Sequence, residues 1–287
     1  MQGRRADGQT ERVPGVVGRD PSGPHAPSTP PVAPRVAEEQ PGRDSVARAT
    51  PVPLRAVRDQ IIGCEKCPRL RGYCQEIARV KRRAYRDDTY WARPVPGFGD
   101  PFARLLILGL APAAHGANRT GRVFTGDGVG GSGDFLMAAL HQVGFATLPT
   151  SRDVDDGLEL RDAFVAAAVR CAPPGNKPTL DEIVSCLPHL AAELDALPRV
   201  RVVVALGKIA FDTFLSLLKS QGLATKPRPR FAHAAVVRLP DGRTLIGAYH
   251  PSRQNTNTGK LTPKMLLEVF RAARQRLTEQ RGSGGFS

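Results

Sequence analysis

Three separated stretches and one cysteine pair hold the side chains that could do chemistry. The first runs from Gly109 to Asp127. In it Gly109, Gly116, Gly121 and Gly126 let backbone approach a ligand closely, Pro112 stiffens one wall, Phe124 offers a flat face, and Asn118, Arg119, Thr120, Arg122 and Asp127 supply polar groups. The second, Cys171 to Lys177, carries the amide of Asn176, and the third, His250 to Asn257, surrounds an imidazole with Ser252, Arg253, Gln254 and Asn255. A flat ring, an amide, an imidazole and a carboxylate are the makings of a ligand pocket rather than of a simple turn, which needs two or three such residues. The pair Cys64-Glu-Lys-Cys67 can place two thiolates on one metal or cluster. It could also be a redox dithiol, although no thioredoxin-like strand and helix surround it.

The elements that must position these groups follow from apolar runs. Residues 104–110, 162–169 and 200–206 read as buried strands, each followed by a helix-like segment: residues 133–143, 179–197 and 207–219. Residues 234–239 and 244–248 flank Pro240-Asp-Gly-Arg243 and read as a hairpin, and an amphipathic helix over 263–277 closes the domain. This order predicts an α/β fold: a central, mostly parallel sheet flanked by helices on both faces. All three polar stretches then sit at the carboxyl ends of strands, where open α/β sheets bind ligands, and they can converge on one cavity. Residues 51–278 form the predicted domain, residues 1–50 a disordered tail rich in Pro, Gly, Ser and Arg, and residues 279–287 a flexible end.

The chain has 287 residues and a formal net charge of +14, which points to an anionic partner, nucleic acid before a membrane surface. Residues 1–50 hold seven arginines against six carboxylates, so the excess charge belongs to the folded part. No apolar run approaches the roughly 20 residues of a membrane span, and the N-terminus lacks a secretory core. Five cysteines with one close pair fit a metal site better than a disulfide framework. The basic run 80–86, with Tyr85 inside it, could lie along phosphates or form a solvated helix face.

Gly109-Leu-Ala-Pro-Ala113 with Gly116-Ala-Asn-Arg-Thr-Gly-Arg-Val-Phe-Thr-Gly-Asp127, then Val169-Arg-Cys-Ala-Pro-Pro-Gly-Asn-Lys-Pro-Thr179, then His250-Pro-Ser-Arg-Gln-Asn-Thr-Asn-Thr-Gly259 resemble the motifs of the uracil-DNA glycosylase superfamily, most closely its iron–sulfur type-B group, often called family five. The resemblance spans about residues 55 to 277. It implies a monofunctional glycosylase of base excision repair that flips deaminated bases, chiefly uracil and also hypoxanthine, out of double-stranded DNA and hydrolyses the bond between base and sugar. It implies catalytic roles for Asp127 and His250, and a base pocket of Gly109, Ala111, Phe124 (stacking) and Asn176 (hydrogen bonds to the base edge). Asn118, Arg119, Thr120, Ser252, Arg253, Gln254 and Asn255 are expected on the DNA, with Arg253 and Gln254 as the wedge and Thr256 on phosphate. Other branches carry a polar residue soon after the first motif's opening glycine; Leu110, Ala111 and Ala113 stand there in this chain. The water-handling role then passes to Asp127, with Asp134 as competitor. Cys64, Cys67, Cys171 and Cys186 match the family's [4Fe–4S] ligands, leaving Cys74 spare, although spacing alone also permits zinc. The implied setting is a monomer on the nucleoid in the cytoplasm. A non-catalytic nucleic-acid binder and an iron–sulfur redox protein on the same scaffold are the competing readings.

Overall fold

The computed structural model describes residues 52–282. The expected N-terminal tail, residues 1–50, lies outside the described residues, as do residues 283–287. Helix α1 (Val52–Ile62) leads through Cys64 and Cys67 into α2 (Pro68–Val80). Pro68 opens α2, where its missing N–H costs nothing, and Leu70 and Cys74 bury one stripe four residues apart. A short edge strand β1 (Phe98–Gly99) precedes β2 (Leu105–Gly109). The loop after β2 contains a single helical turn, α3 (Ala117–Thr120), and runs into α4 (Ser132–Gln142). Then come β3 (Ala163–Ala167), α5 (Leu180–Asp195), β4 (Val202–Leu206), α6 (Lys208–Ser220), β5 (Val236–Arg238), β6 (Thr244–Ala248), α7 (Arg253–Asn257) and α8 (Pro263–Gly282).

The strands form one sheet in the order β1-β3-β2-β4-β6-β5. The four central strands are parallel, and β1 and β5 are antiparallel edges. This is the predicted α/β architecture. Residues along β2 alternate between two cores. Leu105 and Ile107 pack with Leu136, Leu140, Leu266 and Phe270 of α4 and α8; Leu106 and Leu108 pack with Leu190, Phe211 and Phe214 of α5 and α6. Each such side chain contributes about 2 kcal/mol by leaving water, so the sheet's middle is the rigid part of the molecule. From β2 the chain steps to β3 on one side, and β4 then starts on the other side of β2. The crevice at the carboxyl ends of β2 and β4 is thus a topological switch point.

Three expectations need amendment. The last helix continues past residue 278 to Gly282, because Gln275 bonds Glu279 at 2.9 Å and Arg276 pairs with Glu279 at 3.5 Å in a run of good helix formers. The stretch after His250 is not an open loop but the short helix α7, capped by the hydroxyl of Ser252, which accepts from Asn255 N–H. Edge strand β1 was not foreseen; two residues are too few to show a period. Among the described residues no helix is long and apolar enough to cross a membrane.

Candidate active site

The β2 loop is folded by its own polar side chains. Asn118 is buried and donates to the carbonyls of Cys74 (3.2 Å) and Ala114 (3.4 Å). Arg119 pairs with Asp88 at 2.7 Å, donates to the carbonyls of His115 and Gly126, and lies 4.1 Å over the Tyr85 ring. Thr120 turns its hydroxyl onto the carbonyls of Gly116, Arg122 and Thr125. Arg122 is buried against Asp156, Ser151 and Thr125. These contacts tie Asn118, Arg119 and Thr120 into the loop itself. Their donors satisfy loop carbonyls that would otherwise be buried without partners, and they shape the pocket.

The loop delivers Phe124 and Asp127. Phe124 sits at φ 51°, a left-handed backbone that side-chain-bearing residues rarely adopt. Glycine makes room around it: a Cβ on Gly109 would lie 2.7 Å from the Phe124 ring, and one on Gly133 would lie 2.1 Å from its carbonyl oxygen. Asp127 is packed the same way, since a Cβ on Gly116 would fall 1.8 Å from its Oδ1. Burial raises the Asp127 carboxyl from 3.8 to about 6, against the opposing pull of the Gly133 N–H, Arg253 and Arg119. Asp134 is differently placed. Its two oxygens accept from Gly130 N–H (2.9 Å) and Ser151 N–H (3.2 Å), and Arg152 pairs with it at 2.9 Å.

The other two loops meet this one. The His250 and Phe124 rings stack at 5.8 Å between centroids and 29° between planes. Burial holds the His250 imidazolium down to about 4, so the ring is neutral at physiological pH, yet it still opens onto the cleft. Asn176, at φ 58°, stands exposed on the same cleft with no side-chain partner among the described residues. The cleft encloses about 730 Å³, a size usual for ligand pockets, and Ala111, Ser252, Arg253 and Gln254 also line it. Arg253 reaches back to the Asp127 carbonyl at 3.4 Å, and Gln254 is exposed beside it. The Asn255 amide donates to the His250 carbonyl at 2.8 Å and so fixes the motif histidine. The Ser252 and Thr256 hydroxyls are engaged with Asn255 N–H and Ser252 O, within α7. Tyr73, Arg82, Tyr85 and His115 line the cleft too and were not singled out as pocket residues. His115 lies in the Gly109–Asp127 stretch, between the two pieces of the first motif, which was the available signal.

The family model described as "Uracil DNA glycosylase superfamily" matches residues 96–274. The chain belongs to this superfamily. It is 52% identical over 217 residues to the type-5 uracil-DNA glycosylase of Mycobacterium leprae, covering 75% of this chain and 92% of that protein. It is 51% identical over 215 residues to the type-5 uracil-DNA glycosylase of Thermus thermophilus, covering 75% and 94%. A type-4 uracil-DNA glycosylase of Pyrobaculum aerophilum is more distant, at 28% over 166 residues, covering 58% and 66%.

This superfamily member carries five free cysteines, with Cys74, Cys171 and Cys186 buried and Cys64 and Cys67 half-buried. Cys67, Cys74, Cys171 and Cys186 share one small apolar cluster with Leu70, Val169 and Ala172. Burial pushes the Cys67 thiol up, and the fields of Cys186 and Cys64 add to it. Cys171 is raised by its hydrogen bond with Cys74 and by burial, and Cys186 by burial and by Cys64. Thiols that hinder each other's ionisation in this way are a donor set suited to a positively charged centre. Beside them Arg170 is fully buried; one nitrogen pairs with Glu193 at 2.6 Å, while Nε and Nη1 find no partner among the described residues. Among the described residues no three His, Cys, Asp or Glu side chains are grouped to hold a single ion.

Proposed function

We propose that this chain is a monofunctional DNA glycosylase that hydrolyses the bond between uracil, or another deaminated base such as hypoxanthine, and its sugar in double-stranded DNA. The observation that carries this reading is the meeting of Phe124, His250 and Asp127 on one cleft, with His250 held neutral and the Asp127 carboxyl lifted to about 6.

The base must leave the stack to reach this cleft. Phe124 stacks on it, the unpartnered amide of Asn176 bonds its edge, and Gly109 and Ala111 leave room for it. Small residues on that wall favour a pocket that also takes a purine. The glycosidic bond breaks with its electron pair leaving on the base, and positive charge collects on the sugar. Neutral His250 donates an N–H to the base carbonyl and stabilises the departing anion; a well-placed donor of this kind supplies on the order of 3 kcal/mol. Ionised Asp127 faces the sugar, stabilises its positive charge and orients the water whose oxygen bonds to the anomeric carbon. Asp134 is left out of this role because its carboxylate is consumed by Gly130, Ser151 and Arg152. Arg253 and Gln254, exposed on α7, fill the gap in the duplex.

Cys64, Cys67, Cys171 and Cys186 would hold a [4Fe–4S] cluster, which the resemblance favours over zinc. The bound cluster would act as a cross-link between α1–α2 and the segment bearing Asn176, since hydrolysis transfers no electrons. The partner is double-stranded DNA with a damaged base, and the acting unit is a monomer.

The deciding experiment incubates the full chain with duplex and single-stranded oligonucleotides containing uracil or hypoxanthine and measures free base. Release of uracil from duplex is expected. Tight binding without release would leave a nucleic-acid-binding module and overturn the enzymatic reading.

A further inference from the structure

The three loops account for only part of the cleft's rim. Another part is a basic turn that follows α2. Lys81 clasps this turn by donating to the carbonyls of Arg86 (3.1 Å) and Asp88 (2.7 Å). Tyr85 lies within it beneath the Arg119 guanidinium, and Arg119 in turn pairs with Asp88. The turn is therefore fixed to the β2 loop from both sides.

Residues of the turn line the cleft beside His115. The Tyr90 hydroxyl is 2.9 Å from His115 Nδ1. When the Tyr90 hydroxyl donates to Nδ1, the imidazole proton sits on Nε2, which is then a donor. Arg82 and His115 both line the cleft that holds Asp127 and Phe124. Arg82 also borders an adjoining groove with Arg83 and Arg86. The side chains of Arg82 and Arg83 are exposed and have no carboxylate partner among the described residues; Arg86 has a loose, exposed pairing with Asp87 at 3.5 Å.

Exposed guanidinium groups on a turn whose backbone is held, beside a pocket and along a groove leading from it, call for a ligand with negative charge repeated along its length. We propose that Arg82 and the Nε2–H of His115 seat a backbone phosphate of the DNA strand carrying the flipped nucleotide, and that Arg83 and Arg86 guide the same strand along the adjoining groove. This deepens the glycosylase reading and rests on it for the identity of the strand. It also gives the basic run a role the motifs do not supply.

The test is equilibrium binding of the full chain to a duplex bearing a non-hydrolysable abasic analogue, measured over a range of salt. Arg82→Gln should weaken binding severalfold and lower the slope of log K against log salt by about 0.9, the share of one phosphate contact. Arg82→Gln with Arg83→Gln should lower it further, and Arg82→Lys, which keeps the charge, should restore most of it. His115→Ala should weaken binding with little change in slope, because a neutral donor releases no counterion. Arg199→Gln, an exposed arginine in the connection between α5 and β4, serves as the charge control and should change nothing. Unchanged affinity and slope in the Arg82/Arg83 double variant would overturn the proposal. A wild-type chain that releases no base would sink the glycosylase reading while leaving the salt dependence to judge the phosphate seat.

Discussion

Replacing Asp127 by asparagine should make the protein more stable and nearly inactive. The carboxyl is raised from 3.8 to about 6 by burial. An aspartate whose folded pKa exceeds its unfolded value supports the fold when protonated; that support is complete below pH 3.8 and is lost as pH climbs through about 6. Over that interval, at about 1.4 kcal/mol per pH decade, the ionised carboxylate weakens the fold by about 3 kcal/mol at pH 7. An asparagine amide still has to be desolvated, so roughly half of this is recoverable, which corresponds to a rise in Tm of about 5 °C. Thermal melts of Asp127→Asn and wild type at pH 7 and pH 4 read it directly. The difference should be clear at pH 7 and shrink toward pH 4. In parallel, kcat/KM of the wild type on uracil-containing duplex should fall with unit slope below about pH 6, because the carboxylate form is the one that orients water and faces the cationic sugar. The variant should lose at least about a hundredfold in rate and show no such limb. A variant less stable than wild type at pH 7, or a wild-type profile flat from pH 5 to 7, would refute the assignment.

Phe124→Ala should lower kcat/KM by about 10- to 100-fold through lost base stacking, measured in single-turnover base release, while Asp134→Ala should lower Tm with its rate on saturating DNA largely kept. Cys64→Ser should lose the iron, sulfide and visible absorbance expected of the purified protein, whereas Cys74→Ser should retain all three; zinc in a colourless wild type would contradict the cluster.

The sheet was legible because β2, β3 and β4 are apolar throughout, which only strands buried on both faces require, and because each is followed by a helix-like segment. The convergence of the three loops followed from parallel topology. What could not be read was which polar side chain points where. Asn118, Arg119 and Asn255 carry groups that DNA-binding residues carry, but a loop this long has buried carbonyls of its own to satisfy, and it uses those residues for them. Composition gives the donors; only the fold tells whether the nearest acceptor is a phosphate or the chain itself. The same holds for Asp127 and Asp134, seven residues apart in one sequence segment. One is left on the cleft with its charge disfavoured, and the other is neutralised by an arginine and two amides.

That contrast has a counterpart in the backbone. Phe124 and Asn176, the two side chains proposed to hold the base, both stand on left-handed backbone, at φ 51° and 58°. Asparagine tolerates this conformation, but phenylalanine gains nothing locally from it, and such a residue costs on the order of 1 kcal/mol. The surrounding structure has to impose it, and it does so with glycine at Gly109 and Gly133, where any side chain would strike Phe124. A pocket that keeps its stacking ring in an unfavoured conformation, and its carboxylate ionised against burial, has given up stability at two points within four residues of each other. Both sacrifices fall on groups facing the cleft. This is the pattern expected when the site is held ready for a ligand, because the interactions that would offset those losses are made only once the ligand is bound.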